Sequence, residues 1–307
     1  MLFRQLEYFV SLAAERHFAR AAAACYVSQP ALSEAIRKLE RELGVPLVRR
    51  GQNFEGLTTE GEQLVTWARR ILADRDAMNL EAAAFRTGVS GDLRLGVIPG
   101  AATTVAALVD TFCAAHPRAR IRLDAGLRSG EIAERVRRFE LDAGLLYPDG
   151  VDTAGLVLTT LYRERHVLVG TAGLLDDAPL DDDPAGPTWS GVAGLPLCLL
   201  RPGMRGRDLV DEAAAAHGTR LRPRVETDSV ATLIALTETG RWASIVPHAW
   251  LSALPSPARL RTVALPSALD DAAPLGARVA LVRADTEPTS VLTAAFEYEA
   301  RNAAWTG

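Results

Sequence analysis

The stretch SQPALSEAIRKLEREL, residues 28–43, sets the organisation of the chain. Its apolar residues recur at a four-three-four spacing, which places them on one side of an α-helix. Ser28 is positioned to cap this helix, Pro30 suits its first turn, and Gly44 suits its end. The opposite side carries amide, hydroxyl and charged groups, so the stretch predicts either a solvated amphipathic helix or a helix that enters the major groove of DNA. The apolar positions are Leu32, Ile36, Leu39 and Leu43.

Two shorter helices are predicted before this stretch, over residues 2–14 and 18–25, and the second consists mostly of alanine. Small side chains let neighbouring helices approach closely, so we expect a helix-turn-helix at about residues 18–37. Residues 45–57 predict a short strand over 45–48, a turn and a returning strand, which form a small β wing suited to contacting the DNA backbone. Residues 1–58 are therefore predicted to be a winged helix-turn-helix domain.

The composition is that of an ordinary globular chain with an uneven charge distribution. Hydrophobic residues make up 48% and charged residues 23% of the 307 residues, and the net charge is −4. Residues 1–58 carry eight basic and six acidic side chains, so this end is mildly basic and the remainder is acidic. Such a division favours a DNA-contacting module attached to a larger body.

Several function classes are disfavoured by what the sequence lacks. No apolar run reaches the roughly 18–20 residues that cross a bilayer, and the N-terminus lacks the pattern of a secretion signal, so we expect a cytoplasmic protein without membrane contact. The cysteines at 25, 113 and 198 lie far apart among apolar neighbours, which predicts buried reduced thiols and leaves a redox-sensing thiol as the alternative. Without metal-ligand spacing, a phosphate loop or a nucleophile elbow, we expect no catalytic site, metal or cofactor.

A single long helix is predicted over residues 59–87, opened by the capping-box pattern TEGE at 59–62. Apolar residues recur along it every seven positions and nothing apolar is expected to flank them, which is typical of a helix that pairs with a second copy. A helix of about 40 Å would hold two DNA-binding domains apart. An ordinary surface helix is the alternative. The predicted dimerisation seam consists of Leu64, Ile71, Met78 and Phe85.

From residue 91 to residue 307 the predicted strands and helices alternate in two sets, which indicates an α/β body of two lobes. Lobe I is assigned to about 91–163 and 267–307, and lobe II to about 164–266. The chain then crosses twice between the lobes and leaves a cleft between them. The Asp-, Pro- and Gly-rich segment 176–191 is expected to be a surface loop of lobe II.

Several helices of this body begin where strands end, at the edge where the cleft is expected. Helix N-termini attract anions through free N–H groups and a partial positive charge, so we expect a small organic or inorganic anion there. In the alternative, Ser129 and Asp228 only cap their helices. The candidate ligand-binding residues are Thr103, Ser129, Tyr147, Arg201, Met204, Arg205 and Asp228.

The order of these motifs is similar to that of LysR-type transcriptional regulators. The match is carried by FRQLEYFV (3–10), VSQPALSEAIRKLERELGVPLV (27–48) and LTTEG (57–61), and in the body by LRLGVIP, FELDAGLLY and TGRWASIVP. The resemblance implies a C-terminal domain with the fold of periplasmic solute-binding proteins. It also implies a homodimer or dimer of dimers on promoter DNA, a small effector, and contact with RNA polymerase.

The resemblance also places individual residues. Gln29, Pro30, Ser33 and Arg37 fall where the family contacts base edges and phosphates, and Arg49, Arg50 and Asn53 fall in its wing. Lys38 lies on the same polar face.

Three residues depart from the family's common pattern. Glu34 could accept a hydrogen bond from a cytosine amino group or pair with Lys38. Gly100 and Trp242 are also candidate ligand-binding residues and depart from the pattern near the presumed effector site. The competing function for the whole chain is a cytoplasmic solute-binding or enzyme domain whose N-terminal helices serve only assembly.

Overall fold

The computed structural model describes residues 1–50, 54–176, 187–253, 259–266 and 276–305. Over these residues the expected architecture is confirmed: an N-terminal winged helix-turn-helix, a long linker helix and a two-lobed α/β domain. No helix in this part of the chain is both long enough and apolar enough to cross a membrane. The helices are α1 (Phe3–Glu15), α2 (Phe18–Ala24), α3 (Gln29–Leu43), α4 (Thr59–Thr87), α5 (Thr104–Ala115), α6 (Ser129–Arg137), α7 (Ala172–Asp176), α8 (Trp189–Gly194), α9 (Arg205–Ala216), α10 (Val230–Glu238) and α11 (Val291–Asn302). The strands are β1 (Val48–Arg50), β2 (Phe54–Leu57), β3 (Ser90–Val97), β4 (Arg118–Ala125), β5 (Ala143–Leu146), β6 (Leu156–Arg163), β7 (His166–Thr171), β8 (Cys198–Leu200), β9 (Val225–Thr227), β10 (Ser244–Pro247), β11 (Leu260–Ala264) and β12 (Arg278–Ala284).

The apolar side of α3 forms the centre of the N-terminal core. Leu32, Ile36 and Leu39 are fully buried, and each contributes about 1.5–3 kcal/mol by leaving water. The Ser28 side chain accepts a hydrogen bond from the Ala31 N–H at 3.4 Å, which confirms the predicted cap. At the other end, Gly44 adopts a left-handed conformation with φ of 74°. Both ends of α3 are therefore fixed by the residues that the sequence indicates.

The wing is an antiparallel pair of strands that is tied to α3. Val48 pairs with Leu57 across the two strands. A Glu40 carboxylate oxygen accepts hydrogen bonds from the N–H groups of Leu47 and Val48 at 2.9 and 3.2 Å. The strand begins at Val48, so the predicted strand over 45–48 is displaced, because Pro46 has no N–H with which to continue a ladder.

The linker helix α4 spans 29 residues, about 43 Å, with the bounds that the sequence predicts. Its cap is Thr58, whose side chain accepts a hydrogen bond from the Gly61 N–H at 2.9 Å. The prediction that Thr59 opens the helix by a capping box is wrong. Thr58 has the extended backbone that a cap requires, and its hydroxyl also donates to the Pro46 carbonyl at 2.7 Å.

The first half of α4 packs against its own N-terminal domain. Val65 and Ala68 are buried in that core, and Leu64 and Ile71 pack against it while remaining half-buried. The expectation that nothing apolar flanks the seam is therefore wrong, because one side of α4 packs against the N-terminal core. Farther along, Met78 is 66% and Phe85 is 84% exposed.

Lobe I is built on a five-stranded mixed sheet in the order β4-β3-β5-β12-β6. The predicted parallel part is present, since β3 runs parallel to both β4 and β5. The last strand, β12, returns antiparallel to β5 and β6. Strand β6 was not predicted. Helices α5, α6 and α11 contribute to the core of this lobe through residues such as Phe112, Ile132 and Phe296.

Lobe II contains an antiparallel sheet in the order β10-β7-β11 and a parallel pair, β8 and β9. An isolated bridge between Leu197 and Ala243 connects the two. Trp189 opens α8 and is buried, so the expected surface loop over 176–191 is wrong at its C-terminal end. Residues 177–186 lie outside the described residues.

The three cysteines are free thiols. Cys198 is buried in lobe II, whereas Cys25 and Cys113 are only half-buried, so the prediction of fully buried thiols holds for one of the three.

Candidate DNA-binding face and interlobe cleft

The outer face of α3 presents a continuous polar surface. Gln29, Pro30, Arg37 and Lys38 are exposed, and Ser33 is half-buried. This face lies opposite the buried apolar side of α3. The apolar side packs in the core of the domain, while the polar face is open to an external partner.

Glu34 lies in the middle of this face and pairs with two arginines of α3. Its carboxylate is 2.9 Å from Arg41 and 3.8 Å from Arg37. The expected pair with Lys38 is wrong: Arg41, two turns further along the helix, reaches Glu34 with its longer side chain.

Arg49 is exposed on the wing, and its guanidinium lies over Gly56 of the opposite strand, where a Cβ would be 2.9 Å from the Arg49 Nη2 atom. Asn53 and the side chain of Arg50 lie outside the described part of the chain. Tyr26, in the turn before α3, is 96% exposed with φ of 56°. Sequence reasoning missed Tyr26 because an aromatic residue at a turn is not a signal by itself.

A cavity of about 410 Å³ lies between the two lobes. Lobe I contributes segments that follow β3, β4 and β5, and lobe II contributes segments that follow β8, β9 and β10. The cleft therefore lies at the carboxyl ends of the strands, as expected for open α/β sheets. Its apolar lining includes Ile98, Leu127, Leu200, Ile245 and Trp250.

Most of the predicted effector residues line this cavity, namely Gly100, Ser129, Tyr147, Arg201, Met204, Arg205 and Asp228. Thr103 and Trp242 are not among the described lining residues, so the structure does not bring these two predicted residues to the cavity. Thr103 is turned toward the protein interior, where its Oγ1 is buried. Trp242 packs half-buried against a core of lobe II, with the Arg224 guanidinium 5.9 Å from its ring.

The capping alternative for Ser129 and Asp228 is also wrong. The residue at the cap of α6 is Arg128, and the Ser129 Oγ accepts a hydrogen bond from the Tyr147 N–H at 3.2 Å. The cap of α10 is Ser229, whose side chain accepts from the Thr232 N–H. Asp228 is exposed and lies 3.4 Å from Arg201.

Four residues from both lobes meet at the inner wall of the cleft. The Tyr147 hydroxyl donates a hydrogen bond to Oε2 of Glu164 at 2.6 Å. The Trp250 indole N–H donates to the Gly100 carbonyl at 2.7 Å and so joins lobe II to lobe I. Gly100 has no room for a side chain, since a Cβ there would lie 2.0 Å from the Tyr147 hydroxyl oxygen.

Glu164 was not identified from the sequence, although it lies where the chain crosses between lobes, directly after β6 and before β7. Its side chain is 1% exposed, and burial raises its pKa to about 7 despite the hydrogen bond from Tyr147. Burial, together with Glu164, raises the pKa of the Tyr147 hydroxyl well above its ordinary value. The phenol therefore keeps its proton at neutral pH.

The charged residues of the cleft are partly paired with one another. Arg207 is almost fully buried and is bonded to Asp211, Glu226 and the Leu200 carbonyl, so it serves the structure of lobe II. Arg205 lies 2.7 Å from Glu212 at the start of α9. Arg201 remains 64% exposed beside the loop that precedes α9.

A winged helix-turn-helix domain, a long linker helix and a two-lobed domain with a cleft define a DNA-binding regulator with an effector-binding domain. Residues 3–62 match the family model described as bacterial regulatory helix-turn-helix protein, lysR family, and residues 86–304 match the one described as LysR substrate binding domain. The chain therefore belongs to the LysR family of transcriptional regulators, which are not enzymes. The competing solute-binding or enzyme function is thereby set aside.

Relatives and solved structures agree with this assignment. Over 254 residues the chain is 30% identical to the HTH-type transcriptional regulator EstR of Acinetobacter baylyi, covering 80% of this chain and 79% of EstR. It is 46% identical over 99 residues to the dual regulator OxyR of Escherichia coli, covering 32% of each protein. Full-length CbnR in complex with its target DNA matches with a TM-score of 0.65 at 22% identity, covering 98% of this chain and 99% of CbnR. A full-length OxyR variant from Pseudomonas aeruginosa matches with a TM-score of 0.71 at 24% identity, covering 98% and 95%. At these identities the two structures show the fold alone.

Proposed function

We propose that this regulator binds operator DNA in the cytoplasm as a homodimer or a dimer of dimers, with RNA polymerase as a further partner. In this proposal residues 1–58 contact DNA and residues 59–87 join the subunits. The body from residue 91 onward binds a small anion between lobe I (about 91–163 and 267–307) and lobe II (about 164–266).

The observation that carries the DNA-binding proposal is the division of α3 into two faces. Leu32, Ile36 and Leu39 are fully buried, so α3 cannot rotate in its domain without exposing them. The face with Gln29, Ser33 and Arg37 is thereby held outward. Hydroxyl, amide and guanidinium groups recognise base edges and phosphates, and Arg49 on the wing adds a phosphate contact.

The proposal of an anionic effector is supported by the composition of the cleft. Exposed Arg201 and half-buried Arg205 lie beside the N-terminus of α9, a 12-residue helix, and each guanidinium is paired with one carboxylate, of Asp228 and Glu212. An anion bound there would share these guanidinium groups with the two carboxylates and would gain the N–H groups of the first helical turn. The cavity of about 410 Å³ has the size of a small-molecule site.

The DNA-binding proposal is tested by an electrophoretic mobility shift of the full chain on the promoter region adjacent to its own gene. Ser33→Ala or Arg37→Ala is expected to weaken operator binding by about tenfold or more, since a base contact contributes about 1–3 kcal/mol. Arg222→Ala, at an exposed arginine of lobe II, is the matched control. Because phosphate contacts release counterions, wild-type affinity should also fall steeply as salt rises. The proposal is contradicted if the wild-type protein fails to shift this DNA at low salt. It is also contradicted if Ser33→Ala and Arg37→Ala both shift the DNA as well as the wild type does.

The proposed effector site is tested with Ser129→Ala, which is expected to weaken ligand binding while operator binding is retained. Ser33→Ala and Arg37→Ala should show the reverse pattern. If each substitution removes both activities, the loss reflects damage to folding and the assigned sites are wrong.

A further inference from the structure

The hydrogen-bonding capacity of the Tyr147 hydroxyl at the inner wall of the cleft is largely used. The Ser129 side chain holds the Tyr147 backbone, and the hydroxyl itself donates its proton to Glu164 at 2.6 Å. A phenol carries one proton. Toward any other group, the Tyr147 oxygen therefore offers a lone pair and no donor.

Two glycines show that this oxygen lies between the walls of the cleft. A Cβ on Gly100 would be 2.0 Å from the Tyr147 hydroxyl oxygen, and a Cβ on Gly206 would be 3.9 Å from it. Gly100 lines the cleft from lobe I, and Gly206 lines it from α9 of lobe II. The hydroxyl thus occupies the space into which a side chain at position 100 would project.

When its carboxyl group is ionised, as it mostly is above pH 7, Glu164 holds the phenol proton in place. Its Oε1 atom is buried and has no hydrogen-bond partner among the residues that the structure describes, so within them its carboxyl group accepts only from Tyr147. Turning the hydroxyl toward the cleft would leave this buried acid without a donor, at a cost of about 1–3 kcal/mol or more. The orientation of the phenol proton is therefore strongly preferred.

We propose that Tyr147 selects effectors that carry a hydrogen-bond donor, a hydroxyl or amino group, in addition to their negative charge. The inference rests on the proposed function, in which Arg201 and Arg205 attract the charge. A carboxylate oxygen placed against Tyr147 would meet a lone pair and lose its water without compensation. A hydroxyl or amino group would donate to the phenol oxygen. The ligand class is that of hydroxylated or aminated organic acids.

The test compares matched acids by isothermal titration against the full chain at pH 8, where the Glu164 carboxyl group is mostly ionised. The parent acids are propanoate, butanoate and benzoate, and the hydroxylated partners are lactate, 3-hydroxybutanoate and 4-hydroxybenzoate. At least one hydroxylated acid is expected to bind about tenfold or more tightly than its parent, because a gained hydrogen bond contributes about 0.5–1.5 kcal/mol and an avoided unpaired acceptor adds to it.

Two variants connect this preference to the proposed pair. In Glu164→Gln the amide can donate to the Tyr147 oxygen, which frees the phenol proton for the ligand, so the preference should fall at least threefold or reverse. In Tyr147→Phe the ratio of the affinity for the hydroxylated acid to the affinity for its parent should approach one. Gly130→Ala, at a position of α6 with open space around it, should keep the wild-type ratio. Thermal unfolding of each variant checks that it is folded.

Three results overturn the proposal: parents that bind as tightly as their hydroxylated partners, a wild-type ratio that persists in both variants, or no binding of any acid. If DNA is still shifted in these cases, the regulator assignment stands and only the ligand class is wrong. If the wild type does not bind the promoter DNA, the proposed function itself is contradicted.

Discussion

The guanidinium of Arg69 in α4 lies 2.8 Å from a carboxylate oxygen of Glu140, which follows the end of α6 in lobe I. The two side chains are 14% and 30% exposed, so solvent screens this ion pair less than a surface pair. Helix α6 begins at Ser129, which lines the cleft. Helix α6 and the residues that follow it therefore extend from the cleft to a contact with the linker helix.

Breaking the Arg69–Glu140 pair should weaken the contact between the linker helix and lobe I and so lower the free energy of unfolding. Arg69→Ala or Glu140→Ala is expected to lower this free energy by about 1–2 kcal/mol. Glu140→Ala leaves the half-buried Arg69 guanidinium without its ion-pair partner, and Arg69→Ala leaves Glu140 only its longer contact with Arg135 at 3.7 Å. The double variant should cost little more than either single one, since neighbours in one pair are not additive. Chemical denaturation of the full chain measures all three. Arg70→Ala, whose pair with Asp74 is exposed at 3.9 Å, is the control and should be close to neutral. Strictly additive losses would show that the pair does not couple the two elements.

Glu34 distinguishes two ways in which α3 could use a carboxylate on its DNA-binding face. If Glu34 serves to restrain Arg37 and Arg41, Glu34→Gln removes a negative charge next to phosphates and should strengthen binding to every DNA sequence. If it accepts from a cytosine, the same change weakens binding to the operator alone, by about 1–3 kcal/mol. The pair with Arg41 favours the first outcome. Mobility shifts on operator and scrambled DNA at one salt concentration separate them.

The dimerisation seam should lie on the exposed side of α4. Met78 and Phe85 are exposed there, and so is Trp67 at 58%, a residue that the seven-residue repeat did not include. Leu64 and Ile71 already pack against the N-terminal core. Met78→Glu and Phe85→Glu are therefore expected to shift the mass from dimer or tetramer toward monomer, because a buried charge without a partner costs several kcal/mol.

Light scattering coupled to size exclusion measures this change in mass. Asn79→Glu adds the same charge next to Met78 and should leave the assembly intact. An unchanged mass for both seam variants would place the subunit contact elsewhere.

Gly100→Ala should destabilise lobe I, because its Cβ would lie 2.0 Å from the Tyr147 hydroxyl oxygen in a packed interior. Forced overpacking of this kind typically costs about 1–3 kcal/mol. Tyr147→Phe removes the hydroxyl that is struck, so the double variant should recover part of the loss. Gly130→Ala, with nothing within 4 Å, should be neutral or slightly stabilising. The four variants and the wild type are compared by thermal unfolding. Equal losses with and without the Tyr147 hydroxyl would show that the contact is not the cause.

The sequence predicts helices well where packing and capping agree. The buried stripe of α3, its cap Ser28 and its end at Gly44 all follow from local patterns, and so does the length of α4. The seam of α4 is harder to predict, because a repeat of apolar residues cannot say which partner covers it. Leu64 and Ile71 face the chain's own core, and only the folded structure separates them from Met78.

The site shows the same limit. Helix starts and glycines locate the cleft, but its inner wall depends on contacts between distant segments. Glu164 lies in RERHV, a sequence without a catalytic or binding motif, and becomes notable only when Tyr147 and Gly100 close over it. Strand β6 was missed for a related reason: its burial is irregular, so its alternation is weak.

Glu164 should make the stability of the effector-binding domain depend on pH. Burial raises its pKa from 4.5 to about 7 in the folded chain. The neutral acid therefore favours the folded state, and this contribution is complete below pH 4.5 and lost as pH rises through 7. The loss attributable to Glu164 amounts to about 3 kcal/mol by linkage.

Denaturation midpoints of the wild type and Glu164→Gln between pH 5 and 8 measure this contribution. Tyr147 donates a hydrogen bond to Glu164, and Tyr162 of β6 interacts with it electrostatically. His166 and Arg205 of lobe II lie near the Tyr147 hydroxyl, and all four residues remain in both proteins. Burial raises the pKa of both phenols, so neither titrates in this range. As pH rises, the denaturation midpoint of the wild type should therefore fall relative to that of Glu164→Gln, and the difference between the two midpoints should level off above pH 7. A gap that stays constant across the range would mean that Glu164 is already ionised in the folded protein.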